Sequence, residues 1–168
     1  DWSSDVCSSD LPRLTKFEQY QQKLNAERAR LLRLAEEKVN NVEKIDSTIK
    51  KLKQRIGKTW YVFSGNTPSG WDCSGLVMWA YEQMGVEIPH SADKQGHLGT
   101  KVRNPKVGDI VVFGYKGTDS YYHASIYVGN NQVIHAGFRK GTTTQLISLD
   151  DPAFKDSTIV FRSILDTP

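Results

Sequence analysis

All 13 glycines of this 168-residue chain lie at Gly57 or later, and residues 13–56 contain neither glycine nor proline. These are the two residue types that end or break helices, so a stretch of this length without them points to one long helix. A seam stepping alternately by four and three residues from Phe17 to Ile56 collects Phe17, Leu24, Leu31, Ala35, Val42, Ile45, Ile49, Leu52 and Ile56. Only Gln21, Arg28 and Lys38 interrupt it among twelve positions. Sustained spacing of this kind predicts a coiled-coil-like helix about 66 Å long, entered at Pro12 and stopped at Gly57. Such a helix cannot bury its seam alone. The expected partner is a second copy, a further helix, or the rest of the chain.

Charge is segregated along the same boundary. Residues 13–58 carry 13 Lys/Arg against 6 Asp/Glu, whereas residues 59–168 carry 9 against 10. The net charge of +3 therefore hides a basic helix beside a nearly neutral remainder. That pattern weakens any reading as a nucleic-acid-binding domain, and the basic face reads first as solvated surface and second as a means of attraction to an anionic wall polymer or lipid. No run of 18 apolar residues exists, so no transmembrane helix is expected. Residues 1–12, DWSSDVCSSDLP, lack the apolar run of a signal peptide. They read as a disordered leader or as foreign, adapter-derived sequence, and either leaves Cys7 without chemistry.

From residue 59 the apolar runs become short and turn-bounded. A helix is expected over 73–84, with Leu76, Val77, Ala80 and Met84 on one face and Gly85 at its end. Strands follow at 109–113, 123–128, 132–136, 145–149 and 158–164, with a hairpin turn at Asn130-Asn131. One helix followed by antiparallel strands is an α+β layout. Trp60, Trp71 and Trp79 are expected in the core, Trp71 alternatively in a cleft wall.

Three residues are the candidates for chemistry. Cys73 opens the predicted helix in Gly70-Trp71-Asp72-Cys73-Ser74-Gly75-Leu76, where exposed N–H groups and the helix dipole favour a thiolate. Gly75 lets another backbone or a substrate approach closely. His123 and His135 lie in adjacent apolar strands, and a buried unpaired imidazole is costly. Strand parity tests whether they work together. A plain two-residue turn at Asn130-Asn131 puts them on opposite faces; a three-residue loop such as Gly129-Asn130-Asn131, or a bulge, puts them on the same face. A joint site therefore predicts the odd loop or the bulge. Asp109 is read as a turn residue, and His90 and His97 as loop histidines, with His90 as a lesser candidate for the cleft.

The ordered blocks Trp60–Gly65, Asp72-Cys73-Ser74-Gly75-Leu76-Val77, Val107–Phe113, His123–Gly129 and Ile134-His135-Ala136 resemble the NlpC/P60 family of cysteine peptidases over about residues 57–164. The resemblance implies a papain-like α+β fold with a central antiparallel sheet. It implies a cysteine endopeptidase hydrolysing peptide stems of bacterial peptidoglycan, usually at the γ-D-Glu–diamino acid bond. Residue by residue, it implies Cys73 as nucleophile, His123 as general base and His135 as the group that orients His123. Tyr61, Asp72 and Ser74 are implied on the substrate side, where Asp72 and Ser74 also suit helix capping. Ser64 stands where many members have glycine, and His90 where many have arginine.

No metal, nucleotide or other cofactor is implied. Use of Cys73, His123 and His135 as zinc ligands, a non-enzymatic wall-binding or virion module, and an amidase or acyl hydrolase of the same fold are the rival readings. The organisation expected is a leader over 1–12, the helix over 13–58 and a catalytic domain over 59–168. The protein is expected outside the cell or at the wall, secreted by a bacterium or encoded by a phage, with self-association or a partner helix through 13–56.

Overall fold

The computed structural model describes residues 14–165 and 167. The leader at 1–12, Cys7 and the expected helix entry at Pro12 lie outside the described residues. The first helix, α1, spans Lys16–Lys53. Its start is a capping box that the glycine/proline pattern does not reveal: Thr15 Oγ1 accepts the Glu18 N–H at 3.2 Å, and the Glu18 carboxylate accepts the Thr15 N–H at 2.7 Å.

The chain divides into two compact units, 1–37 and 38–168. The boundary falls inside α1, not after it, because the last turns of the helix belong to the second unit. Ile45, Ile49 and Leu52 are buried in the main core there, with Ile56 partly buried against it. The lower seam is thus covered by the rest of the chain, one of the three partners expected. In the first unit Phe17, Leu24 and Leu31 are exposed.

In the second unit a two-strand ribbon, β1 (Asn66–Thr67) and β2 (Gly70–Trp71), leads into α2 (Cys73–Gln83). A single turn, α3 (Ala92–Gln95), follows. The sheet is built from β3 (Thr100–Val102), β4 (Ile110–Tyr115), β5 (Tyr121–Gly129), β6 (Gln132–His135), β7 (Gln145–Ser148) and β8 (Ser157–Ser163). Its order is β3-β8-β4-β5-β6-β7, and every neighbouring pair is antiparallel. The expected α2 and five strands are all present within two residues at each end. β3 and α3 escape sequence reading because one is three residues long and the other four.

Both faces of the central strands are buried, with period two. Ile110, Val112, Ala124, Ile126 and Ile134 pack with Leu76, Val77 and Ala80 of α2 and with the end of α1. Val111, Phe113 and Val133 pack on the other face with Leu149 and Phe154. Of the tryptophans expected in the core, Trp71 lies there and Trp60 does not. Trp71 is fully buried, its indole N–H donating to Thr144 Oγ1 at 2.8 Å, so it is core and not a cleft wall. Trp60 is exposed: it is tied to the sheet margin only by a bridge to Thr143.

Leu52 has no exposed surface, so Leu52→Ala is expected to cost about 2–5 kcal/mol through lost transfer energy and a cavity. Leu31→Ala, at an exposed seam position, is expected to stay within about 0.5 kcal/mol. Urea unfolding midpoints of the two variants check the contrast.

Candidate active site

Position in the hairpin decides whether the two histidines meet. The turn is the tight two-residue one, Asn130-Asn131, both with positive φ (53° and 56°) as a type I′ turn requires. The three-residue loop does not form. Instead the pairing shifts between Tyr127 and Gly129: Gly129 faces Gln132, but Tyr127 faces Val133 and Ile126 faces Ile134. Val128 is the extra residue, a bulge that restores even parity. His123 and His135 then share the sheet face occupied by Phe113. Their Nε2 and Nδ1 atoms stand 3.0 Å apart in a buried hydrogen bond.

Cys73 is the first residue of α2 and is half-buried. Its helix start is fixed by Asp72. One carboxylate oxygen, Oδ1, accepts the Gly75 N–H at 2.7 Å, and Oδ2 accepts the Ser64 N–H at 2.9 Å. Ser64 has φ of 59°, in the left-handed region, which accounts for glycine being the easier residue at that turn. Gly75 is required by backbone approach: a Cβ there would meet the Gly65 carbonyl oxygen at 1.9 Å. Asp72 therefore does serve as the helix cap, and the buried Ser74 hydroxyl lies 3.4 Å from its Oδ1. Asp109 is the turn residue expected, accepting the Lys106 N–H at 2.8 Å.

Burial pushes the Cys73 thiol above its ordinary value; a hydrogen bond from the Ala124 backbone, next to His123, pulls the other way. Burial also holds His123 well below the usual imidazole range, and the neighbouring His135 adds to this. His135 is lowered by burial too, with the Gln145 side chain and the Asp151 carboxylate opposing. Its Nε2 is buried without a partner in hydrogen-bond geometry, although Gln145 is its cross-strand neighbour. Both imidazoles are thus neutral near pH 7. The two rings turn nitrogens toward each other, whereas metal ligands converge on one point. Among the described residues no three His, Cys, Asp or Glu side chains form such a group.

Tyr61 is half-buried, its hydroxyl raised by burial and by the proximity of Cys73 and Asp72. Cys73, Asp72, Ser74 and Tyr61 thus gather at the start of α2, and His123 with His135 at the neighbouring strands. His97 is a surface residue as expected, 3.1 Å from Asp119. His90 is not merely a loop histidine: its Nε2 lies 2.7 Å from Asp72 Oδ1. One residue was missed altogether. Phe138, in the turn after His135, has its ring 4.9 Å from His123 and 4.8 Å from His135.

Residues 57–163 match the profile of the NlpC/P60 family. The chain belongs to that family. It is 42% identical over 94 residues to the gamma-DL-glutamyl hydrolase of Bacillus subtilis, covering 54% of this chain and 23% of that protein. It is 38% identical over 98 residues to the murein DD-endopeptidase MepS/murein LD-carboxypeptidase of Escherichia coli, covering 56% and 50%. The chain thus spans half or less of the length of these relatives. The crystal structure of the NlpC/p60 domain of the peptidoglycan hydrolase SagA superposes with a TM-score of 0.59 at 31% identity, covering 71% of this chain and 98% of that one. The NlpC/P60 fold expected from the motif order is therefore the observed fold.

Neutral burial of two imidazoles has a consequence for stability. Their folded values lie below the unfolded 6.5, so below about pH 6.5 the unfolded chain binds protons that the folded chain does not. Stability is expected to fall with acidification, at up to about 1.4 kcal/mol per pH unit for each histidine. His135→Gln should flatten the slope of urea-derived stability between pH 6.5 and 5.

Proposed function

We propose that this chain carries the catalytic domain of a cysteine endopeptidase that hydrolyses peptide stems of bacterial peptidoglycan at the γ-D-Glu–diamino acid bond. The observation that carries the proposal is the buried His123–His135 hydrogen bond beside the half-buried Cys73 thiol at a helix start. Family membership supports the reaction class. The name of the Bacillus subtilis relative supports the γ-glutamyl linkage, while that of the Escherichia coli relative speaks for other bonds of the stem.

In this reading His123 donates its Nε2–H to His135 Nδ1 and keeps a lone pair on Nδ1. A raised thiol and a lowered imidazole make the free enzyme a neutral pair, so the proton passes from Cys73 to His123 as sulfur attacks the stem carbonyl. His135 holds the tautomer and ring orientation of His123 and shares the charge of the imidazolium. The Cys73 backbone N–H, one of the unpaired donors of a helix start, and the Tyr61 hydroxyl stabilise the oxyanion. A donor of this type is worth about 2.7–4 kcal/mol. The C–N bond then breaks, His123 protonates the departing amine, and water, activated by His123, hydrolyses the thioester.

On the substrate side, Asp72 and Ser74 receive the free amine of a short stem, while Tyr61 lies by the oxyanion and the substrate backbone. Asp72 supplies the negative charge and His90 sets its position. The substrate lies outside the cytoplasmic membrane, so the site of action is extracellular or at the wall, whether the protein is bacterial or phage-encoded.

Mass spectrometry of muropeptides after digestion tests the proposal. The expected result is new products split between D-Glu and the diamino acid, with Cys73→Ala lowering the rate by about 10⁶-fold. Cleavage at another stem bond would overturn the bond assignment. Unchanged muropeptides across several stem chemistries would overturn hydrolysis itself. Since His123 must be neutral to act as base and is held below its ordinary value, the acid limb of the kcat/KM profile should lie below pH 6.5.

A further inference from the structure

The His123–His135 hydrogen bond sits in an aromatic enclosure. Phe113 lies 5.5 Å from the His123 ring and Phe154 lies 6.4 Å from the His135 ring, and these two phenylalanines stack on each other at 4.1 Å. Both are buried core residues. Phe138 completes the enclosure. Among the described residues it is the one aromatic that contacts both histidines, at 4.9 and 4.8 Å, and it also meets Phe154 at 5.8 Å. Unlike the other two, it is 44% exposed. It comes from the β6–β7 connection, not from the sheet core.

That connection is shaped to hold it. Gly137 has φ of +86°, and a Cβ there would collide with Thr142 Oγ1 at 2.2 Å, so the chain turns too tightly for any side chain at 137. Thr142 Oγ1 donates to the Arg139 carbonyl at 2.6 Å, closing the turn around Phe138. Arg139 and Lys140 beside it are exposed. An exposed phenylalanine in a turn otherwise made of Gly, Arg, Lys and Thr gains little from hydration there. Its cost is offset by the two histidine contacts beneath it.

We propose that Phe138 is a positioning residue: its ring caps the His123–His135 hydrogen bond, excludes water from it and stops the His123 ring from turning out of line. A hydrogen bond between two neutral groups adds only modestly to stability when water competes for the same partners, and gains strength as the local dielectric falls. The fully buried Phe113 and Phe154 are in place by virtue of the core. Phe138 is the member whose removal opens the bond to solvent. Its role in turnover rests on the peptidase reading; its role in holding the pair does not.

The test is Phe138→Ala with Phe138→Trp as rescue, each studied for activity and by nitrogen-15 NMR of the histidine side chains in a Cys73→Ala background. The slowly exchanging imidazole N–H of the buried pair is expected in the parent, lost or broadened in Phe138→Ala, and restored in Phe138→Trp. On muropeptide substrate, Phe138→Ala should lower kcat by about 10- to 100-fold, the range for a displaced catalytic group, with KM little changed. The acid limb of the pH–rate profile should move up toward 6.5, since water then reaches the pair. Asp151, after β7, faces His135, and Cys73 at the start of α2 meets the Ala124 backbone beside His123; neither is changed by the substitution, and Arg139 and Lys140 in the turn are exposed. If Phe138→Ala fails to fold by circular dichroism, Phe138→Leu replaces it with the same expectations at smaller size. An imidazole N–H that survives Phe138→Ala, or a lost rate with an unmoved pH profile or a raised KM, would overturn the proposal. Failure of the parent to cleave any muropeptide would sink the peptidase reading and leave the NMR comparison as the judge of the cap.

Discussion

One inserted residue governs the candidate site. Without the bulge at Val128, the two-residue turn at Asn130-Asn131 would put His123 and His135 on opposite faces of the sheet, one against α2 and one away from it. With it, the two rings share a face and form a buried hydrogen bond at 3.0 Å. The tight turn and the bulge are complementary devices. The positive-φ asparagines give the hairpin the twist its strands require, and the bulge corrects the parity that this turn imposes.

Around that pair the domain supplies two kinds of support. Asp72 organises the Cys73 side: it caps α2, accepts the Ser64 N–H and meets His90, so one carboxylate ties the helix start to the loop before it. The histidine side is organised through aromatic packing, with Phe113, Phe138 and Phe154 around two imidazoles. Polar fixation at one end and apolar enclosure at the other have a shared electrostatic result. Burial raises the thiol and lowers the imidazoles, which favours the uncharged form of each.

The long helix shows how a repeating pattern can be satisfied in parts. Its seam is uniform in sequence, yet Ile45, Ile49 and Leu52 are core while Phe17, Leu24 and Leu31 are exposed. No feature of the repeat marks where one regime gives way to the other. The division at residues 37 and 38 depends on which stretch of the helix the sheet and α2 reach. The stretch matching the NlpC/P60 profile begins at residue 57, but the compact unit begins at Lys38, nineteen residues earlier, because those helical turns fill its core.

The sequence by itself determined what depends on local chemistry and order along the chain. The glycine-free helix, the Asp72-Cys73-Ser74-Gly75 helix start and the strand pattern were legible, because spacing and residue type suffice for them; Cys73, His123 and His135 were named as candidates through the order of the motif blocks. The sequence also stated the parity problem and its two solutions. Only the tertiary structure decided between loop and bulge, since a bulge is set by packing across strands and leaves no mark in residue type. It alone brought His90 to Asp72 across eighteen residues and laid Phe138 over both histidines. Those contacts depend on where a loop and a turn come to rest on the sheet, a matter of packed shape that no periodicity encodes.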